Sequence, residues 1–465
     1  MTPTDWKLIA LALASIGALV LLITRLKVNA FIALLLASLV VGGGSALLGR
    51  VIRDAGGRES AYTLLGVAKS FSDGLGATLG SIAAIVGLGT MLGRLLAESG
   101  GAEVLARRFI AFFGPARIQW CIMALALAVG LTTWFAVGLV LLLPILLTLT
   151  HETRQPFLIL TLPLLSCLSV MHGVMPPHPG PVVAVEYLKV DMGLVLVWGF
   201  VIGIPTAAVA GPLFARWAVK RVEAHPPPIS RKADALPPGF RLPGFGVTLF
   251  SILLPVLLML LATVAELALD KDSDLREAAT FVGNPTIALT IAVLFASWSL
   301  GLACGYRPAD VLKFTESSIA TVGMTILVIG GGGGFARVLR DSGVAESIGR
   351  LGDMAHLSPL MYGWLVSAFI RVATGSATVA ITTASGLLVP VLAAHPELGQ
   401  NHKALIVVAI GSGSLFLSHL NDSGFWIVKD SLGLSVNQTF RTWTVCETLV
   451  GLVGMGLSLL VYRLI

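Results

Sequence analysis

Apolar residues run through this chain in blocks too long for ordinary core helices. No Asp, Glu, Lys or Arg interrupts 8–23, 30–48, 118–150 or 192–215. About 20 consecutive apolar residues span the hydrocarbon core of a bilayer as a helix. The pattern predicts spans near 8–24, 28–48, 74–97, 118–148, 156–175, 191–215, 246–268, 281–303, 316–334, 358–396, 402–418 and 437–463. The expected class is an all-α polytopic membrane protein. The first segment is long enough to span and a second follows after Arg25 and Lys27, so it reads as a retained helix and not as a cleaved leader.

Two of these runs, 118–148 and 358–396, exceed one simple span. Each carries a small polar patch: GLTTWFAVG from Gly130 and RVATGSATVAITTASG from Arg371. Irregular backbone at membrane depth is tolerated only where it is buried in protein or lines a cavity. The patches therefore predict broken helices or re-entrant hairpins, whose free N–H groups and hydroxyls suit an anion. Close helix packing through small residues is the other reading. Thr132, Thr133, Thr374, Ser376 and Thr378 are candidate substrate contacts. Arg371 either faces a cavity, where it attracts a carboxylate, or sits at the membrane edge. If both runs are broken, Thr132–Thr133 and Thr374–Ser376 are expected to approach one another from the two halves.

The halves echo each other. LGTMLGRLLAESGGAEVLARR from Leu88 resembles GGGFARVLRDSGVAESIGR from Gly331, which aligns Arg94 with Arg337, Glu98 with Asp341, Gly100 with Gly343 and Glu103 with Glu346. Each copy precedes an over-long run, then a further span, then a polar motif. Internal repeats of this kind build many secondary transporters. Between them lies a basic, proline-rich stretch with Arg216, Lys220, Arg221, Arg231, Lys232 and Arg241 against Glu223 and Asp234. Its composition suits an extended linker on the cytoplasmic side. The expected organisation is a transmembrane half over 1–215, a linker over 216–245 and a second half over 246–465.

Composition adds limits. Hydrophobic residues make up 56% and charged residues 12% of the chain, and the net charge is +6. No Arg/Lys cluster alternates with aromatics, so the charge reads as membrane-flanking and no nucleic-acid partner is expected. The four cysteines are scattered, three in apolar runs, and read as small core residues.

Two polar motifs remain. MHGVMPPHPGPVVAVEYLKVD, from Met171, holds His172 and His178 among prolines that cannot continue a helix. No Cys, Asp or Glu stands among the histidines, so no metal is expected. GSGSLFLSHLNDSGFWIVKD, from Gly411, carries His419, Asn421 and Asp422 in turn chemistry. It reads either as a surface loop anchored by Trp426 or as a helix break beside a cavity. In the second case Asn421 contacts substrate and Asp422, His419 and His172 are candidates for proton coupling. Glu447 is a further candidate, although its place six residues after Arg441 also fits the interface.

HLNDSGFWIVKDSLGLSVNQTFRTWTVCET from His419, HGVMPPHPGPVVA from His172 and FARVLRDSGVAESIG from Phe335 resemble the gluconate permease family, the gluconate:proton symporters of the ion-transporter superfamily. The resemblance covers essentially the whole chain. It implies about 12–14 transmembrane segments in two repeated halves with broken helices or re-entrant hairpins. It also implies residence in the cell inner membrane and import of gluconate or a related sugar acid with a proton. Some relatives carry D-serine or other small hydroxy acids. The expected partners are thus a small anionic sugar acid, a proton and the bilayer, with no cofactor, and a homodimer is allowed. Sodium coupling is an alternative, since opened-helix carbonyls and Asn/Asp oxygens also suit Na⁺. A channel would want a continuous pore, and a membrane enzyme an acyl-transfer motif that this sequence lacks.

Overall fold

Capping chemistry starts the first helix of this computed structural model. Thr2 Oγ1 accepts from the Asp5 N–H at 3.2 Å, and Asp5 Oδ2 accepts from the Thr2 N–H at 2.6 Å. The structure describes residues 2–53, 59–114, 117–224, 240–270, 272–344, 347, 357–420 and 422–465. Asn421, Glu346 and 225–239 of the proline-rich stretch lie outside the described residues.

The first half runs α1 (Pro3–Thr24), α2 (Ala30–Leu47), α3 (Leu64–Glu98), α4 (Gly101–Phe113), α5 (Ile118–Gly130), α6 (Phe135–Thr153), α7 (Phe157–Val174), α8 (Pro179–Leu188), α9 (Met192–Ala208) and α10 (Phe214–Ala218). A π-helical turn, Val209–Leu213, joins the last two. Between α2 and α3, Val51–Arg53 pairs antiparallel with Glu59–Ala61. The second half runs α11 (Phe245–Ala268), α12 (Asp274–Gly283), α13 (Pro285–Ala296), α14 (Pro308–Asp341), α15 (Pro359–Thr374), α16 (Ala377–Ala393), α17 (Gln400–Gly413), α18 (Ser423–Ser431), α19 (Val436–Thr439) and α20 (Val445–Leu464). A π-helical turn, Phe440–Thr444, carries α19 into α20.

Among the described residues, eight helices are long and apolar enough to cross a membrane, and the two arms of α3, bent by 42° between Gly80 and Ile82, make a ninth. Both over-long runs are broken. The first opens between Gly130 and Phe135, the second at Gly375 and Ser376. The helices at 74–97 and 316–334 are longer than hydropathy indicates: α3 begins at Leu64 and α14 at Pro308. Their N-terminal turns carry Lys69 and Asp73, or Asp310, Lys313 and Glu316, which lower the hydropathy without interrupting the helix. The span at 402–418 is shorter than expected, because α17 ends at Gly413 within a Gly-Ser-Gly-Ser segment.

The repeat is structural. Arg94 pairs with Glu98 at 2.6 Å and Arg337 with Asp341 at 2.8 Å. The Ser99 and Ser342 hydroxyls each donate to the carbonyl three residues back, at 3.1 and 3.0 Å. Gly100 and Gly343 take φ of 69° and 79°, the left-handed region where a Cβ is penalised. Packing repeats as well, in exchanged fashion. α3 and α14 lie against each other; α2 packs on α14 and α13 on α3; α1 touches α15 and α11 touches α5. Within the halves, α5–α7–α9 mirrors α15–α17–α20. The halves are pseudo-symmetric and clasp each other.

Where α3 and α14 meet, glycines face the partner. A Cβ on Gly74 would strike the Gly333 carbonyl, and one on Gly334 would lie 2.6 Å from the Phe71 ring. Leu13, Leu261, Leu294, Phe369 and Leu460 lie exposed on outer faces, the apolar belt that lipid would cover. By contrast α7 is buried along nearly its whole length, so the polar residues near its end sit inside the bundle.

Candidate functional site

Three helices begin in the wall of one cavity. The N-terminal residues of α6 (Trp134, Phe135, Ala136), α16 (Ser376, Ala377, Thr378) and α18 (Asp422, Ser423, Gly424) all line it. Its volume is about 260 Å³. Ser169 and His172 enter from α7, Arg371 from α15, and Trp443 and Glu447 from the π turn and first turn of α20. The first N–H groups of a helix lack intrahelical acceptors and carry the positive end of its dipole. Three such ends around one space favour an anion there.

Local sequence explains the breaks. Gly375 ends α15 at φ 74°, a conformation that favours glycine, and its N–H bonds the Arg371 carbonyl at 2.8 Å. Ser376 then caps α16 by accepting the Val379 N–H at 3.3 Å. In the first half, α5 ends on Gly130, whose carbonyl lies 2.6 Å from His178 Nε2. Trp134 precedes α6 without a side-chain cap, which leaves that N-terminus free of competition from its own side chain.

Charge in the cavity centres on Arg371. It is 4% exposed and forms an ion pair with Asp422, itself 5% exposed. A second Arg371 nitrogen donates to the Gly375 carbonyl, and Nε has no partner. Asp422 Oδ1 accepts the Gly424 N–H at 2.7 Å, while Oδ2 takes Arg371 and the Ser418 hydroxyl. Ser418 in turn accepts the Trp443 indole N–H at 2.8 Å, and its carbonyl accepts the Thr444 hydroxyl at 2.6 Å. A continuous chain of polar contacts thus runs from the π turn before α20 through Ser418 and Asp422 to α15. Arginine keeps its proton in proteins, so burial obliges a counter-charge, and Asp422 supplies it.

Of the residues singled out in the sequence, Arg371, Ser376, Thr378, Asp422 and His172 come together in the lining. The Arg371 side chain faces the cavity and not the membrane edge. Thr132, Thr133 and Thr374 do not line it. Thr133 and Thr374 each give the hydroxyl to the carbonyl four residues back, at 2.8 Å, while Thr132 reaches Val129 O at 3.4 Å. Thr132 borders a small neighbouring pocket with Thr90 and His178. The two breaks still meet one space, the first through Trp134–Ala136 and the second through Gly375–Thr378. His419 is half-buried outside the lining, with Nε2 2.9 Å from the Val372 carbonyl. Asn421 is among the residues not described.

Sequence reasoning underrated Glu447. It is 1% exposed and lines the cavity, not the interface. A signal existed: Trp443 and Glu447 stand four apart, on one helix face, in an otherwise uncharged stretch after Arg441. Ser169 had no such signal.

The profile of the GntP family permeases matches residues 6–465. A gluconate permease of Zymomonas mobilis is 40% identical over 453 residues, covering 97% of each chain. The Gnt-II system L-idonate transporter of Escherichia coli is 39% identical over 442 residues, covering 95% of this chain and 96% of its own. Among solved structures, the YdaH transporter of Alcanivorax borkumensis superposes with a TM-score of 0.60 at 15% identity, over 92% of this chain and 98% of its own. At that identity the likeness concerns the fold.

Proposed function

This chain belongs to the GntP family of permeases, and from that membership we propose that it is a secondary active transporter of gluconate or a related small hydroxylated monocarboxylate. The anion moves with a proton, across the bacterial inner membrane. The observation that carries this reading is the convergence of three helix N-termini and buried Arg371 on one cavity.

The chemistry follows from the lining. The substrate carboxylate approaches Arg371 and the uncapped N-terminus of α6, and the N-terminal ends of α16 and α18 add their dipoles. The hydroxyls of Ser376, Thr378 and Ser169 answer the substrate's own hydroxyls. Asn421 stays in the binding set on the family resemblance alone. Thr132, Thr133 and Thr374 act by shaping the breaks, since their hydroxyls are directed at main-chain carbonyls. Of the proton-coupling candidates, Asp422 and His172 share the cavity with the substrate, and His419 acts at its edge. The halves 1–215 and 246–465, joined by the basic stretch 216–245, supply the two parts that move about the site.

Purified protein in proteoliposomes provides the test. Labelled gluconate is expected to accumulate when the lumen is made alkaline, and a sodium gradient alone should not replace the pH gradient. Unlabelled L-idonate should compete, and D-serine less well. Accumulation driven by sodium at constant pH would replace the proton in this reading, and D-serine as the better competitor would replace the sugar acid.

A further inference from the structure

The cavity holds a second acid that the Arg371–Asp422 pair leaves unbalanced. Glu447 Oε1 has no hydrogen-bond partner among the described residues, and the Ser169 hydroxyl shares the lining with it. Every element around it can be accounted for. α7 presents Ser169 and His172, α15 presents Arg371, and the turn before α18 presents Asp422. α9, the π turn Val209–Leu213 and α17 also pack on α20 but put no charged or titratable side chain into the lining among the described residues. Arg371 is therefore the one fixed cation of the described lining, and Asp422 already meets its charge.

Asp422 is poorly placed to take on a further role. One oxygen holds a main-chain N–H that starts α18; the other holds Arg371 and Ser418. Neutralising it would strip a buried guanidinium of its counter-ion and remove the start of a helix. Glu447 has none of these duties. A buried carboxylate without a cation is costly inside a bundle, and a bound proton removes that cost.

We propose that Glu447 carries the coupled proton while Asp422 remains the fixed counter-ion of Arg371. The proposal rests on the reading of this cavity as the transport site. A proton from the loading side binds a Glu447 oxygen as the substrate anion enters, and it leaves to water on the other side with the anion. The bookkeeping closes: the loaded cavity, with an anion added and Glu447 neutral, has the same net charge as the empty cavity with Glu447 ionised. An anion entering without the proton would place an extra negative charge beside a cation already matched.

The experiment compares wild type with Glu447→Gln, a mimic of the neutral acid, in proteoliposomes. One assay reads accumulation of labelled gluconate under an imposed pH gradient. The other reads exchange of external labelled for internal unlabelled gluconate at equal pH. Glu447→Gln should keep exchange within about threefold of wild type while gradient-driven accumulation falls about tenfold or more, to the equilibrium level. Wild-type accumulation in Glu447→Gln overturns the proposal. Should Glu447→Gln fail to reach the membrane, Glu447→Asp keeps the carboxyl on a shorter stem. It must then move the pH at which uptake is half-maximal, and an unmoved midpoint overturns the proposal. Wild type that ignores the pH gradient marks a different failure, that of proton coupling itself.

Discussion

Arg371 and Asp422 stabilise one another only as a pair. Breaking a buried ion pair by removing one partner costs about 3–5 kcal/mol, because the other charge is left uncompensated. Asp422→Asn and Arg371→Gln are each expected to lower the thermal stability of the detergent-purified protein. The double variant should be more stable than either single one, while transport stays lost in all three. Thermal unfolding followed by tryptophan fluorescence reads this directly; a double variant no more stable than the worse single one would mean that the two residues do not act as a unit. Arg371→Lys tests recognition separately. A point charge replaces a fork that reaches two acceptors, and the half-saturating substrate concentration should rise about tenfold or more in initial-rate uptake. Both residues were legible in the sequence as charges among apolar neighbours. Their pairing was not, because they lie 51 residues apart and no local period links them. Glu447 was legible only as a candidate, since a charge near a span end looks alike at an interface and in a cavity.

At the scale of elements, the breaks matter more than the spans. Gly375 sits at φ 74° and Ser376 caps the next helix. Gly375→Ala is expected to cost about 1–2 kcal/mol from the left-handed conformation alone, and Ser376→Ala about 1 kcal/mol through the lost cap. Uptake should fall further in Gly375→Ala than its stability loss explains, since the break also aims the N-terminus of α16 at the cavity. Normal initial rates in well-expressed Gly375→Ala would make the break a packing feature. The positions of both breaks could be read from the sequence, because Gly, Ser and Thr patches are conspicuous in an apolar run. What each side chain faces could not: Thr133 and Ser376 look equivalent as letters, yet one hydroxyl closes on its own helix and the other opens the next. Hydropathy also misjudged α3 and α14, whose charged first turns continue the helix beyond the apolar stretch.

At the scale of the whole molecule, the proposed coupling fixes how much charge a transport cycle moves. If the filled and empty cavities carry the same charge, one anion and one proton cross together with no net charge movement. A potassium diffusion potential, imposed with valinomycin at equal pH, should then drive little accumulation of labelled gluconate, whereas a pH gradient of equal energy should drive it fully. Accumulation under the potential alone would require a further charge in the cycle. The two-half build was visible in the Arg94 and Arg337 segments, but the exchange of α2 and α13 between the halves was not, because tertiary swaps leave no mark on a repeat.

The crossing of α3 and α14 bears on how such a cycle turns over. Gly74, Gly330, Gly333 and Gly334 bring main chain against the facing helix with no side chain of their own between them. Side chains interlocked from both helices must change rotamer before one helix can slip past another; here Phe71, Thr78 and Leu79 of α3 meet bare main chain on α14. Gly333→Ala would add an interlock, its Cβ meeting the Gly74 carbonyl at 2.8 Å and pressing on Thr78. Turnover in that variant should slow while the half-saturating gluconate concentration holds. If the halves slide along this crossing, a few missing methyl groups set the friction between them.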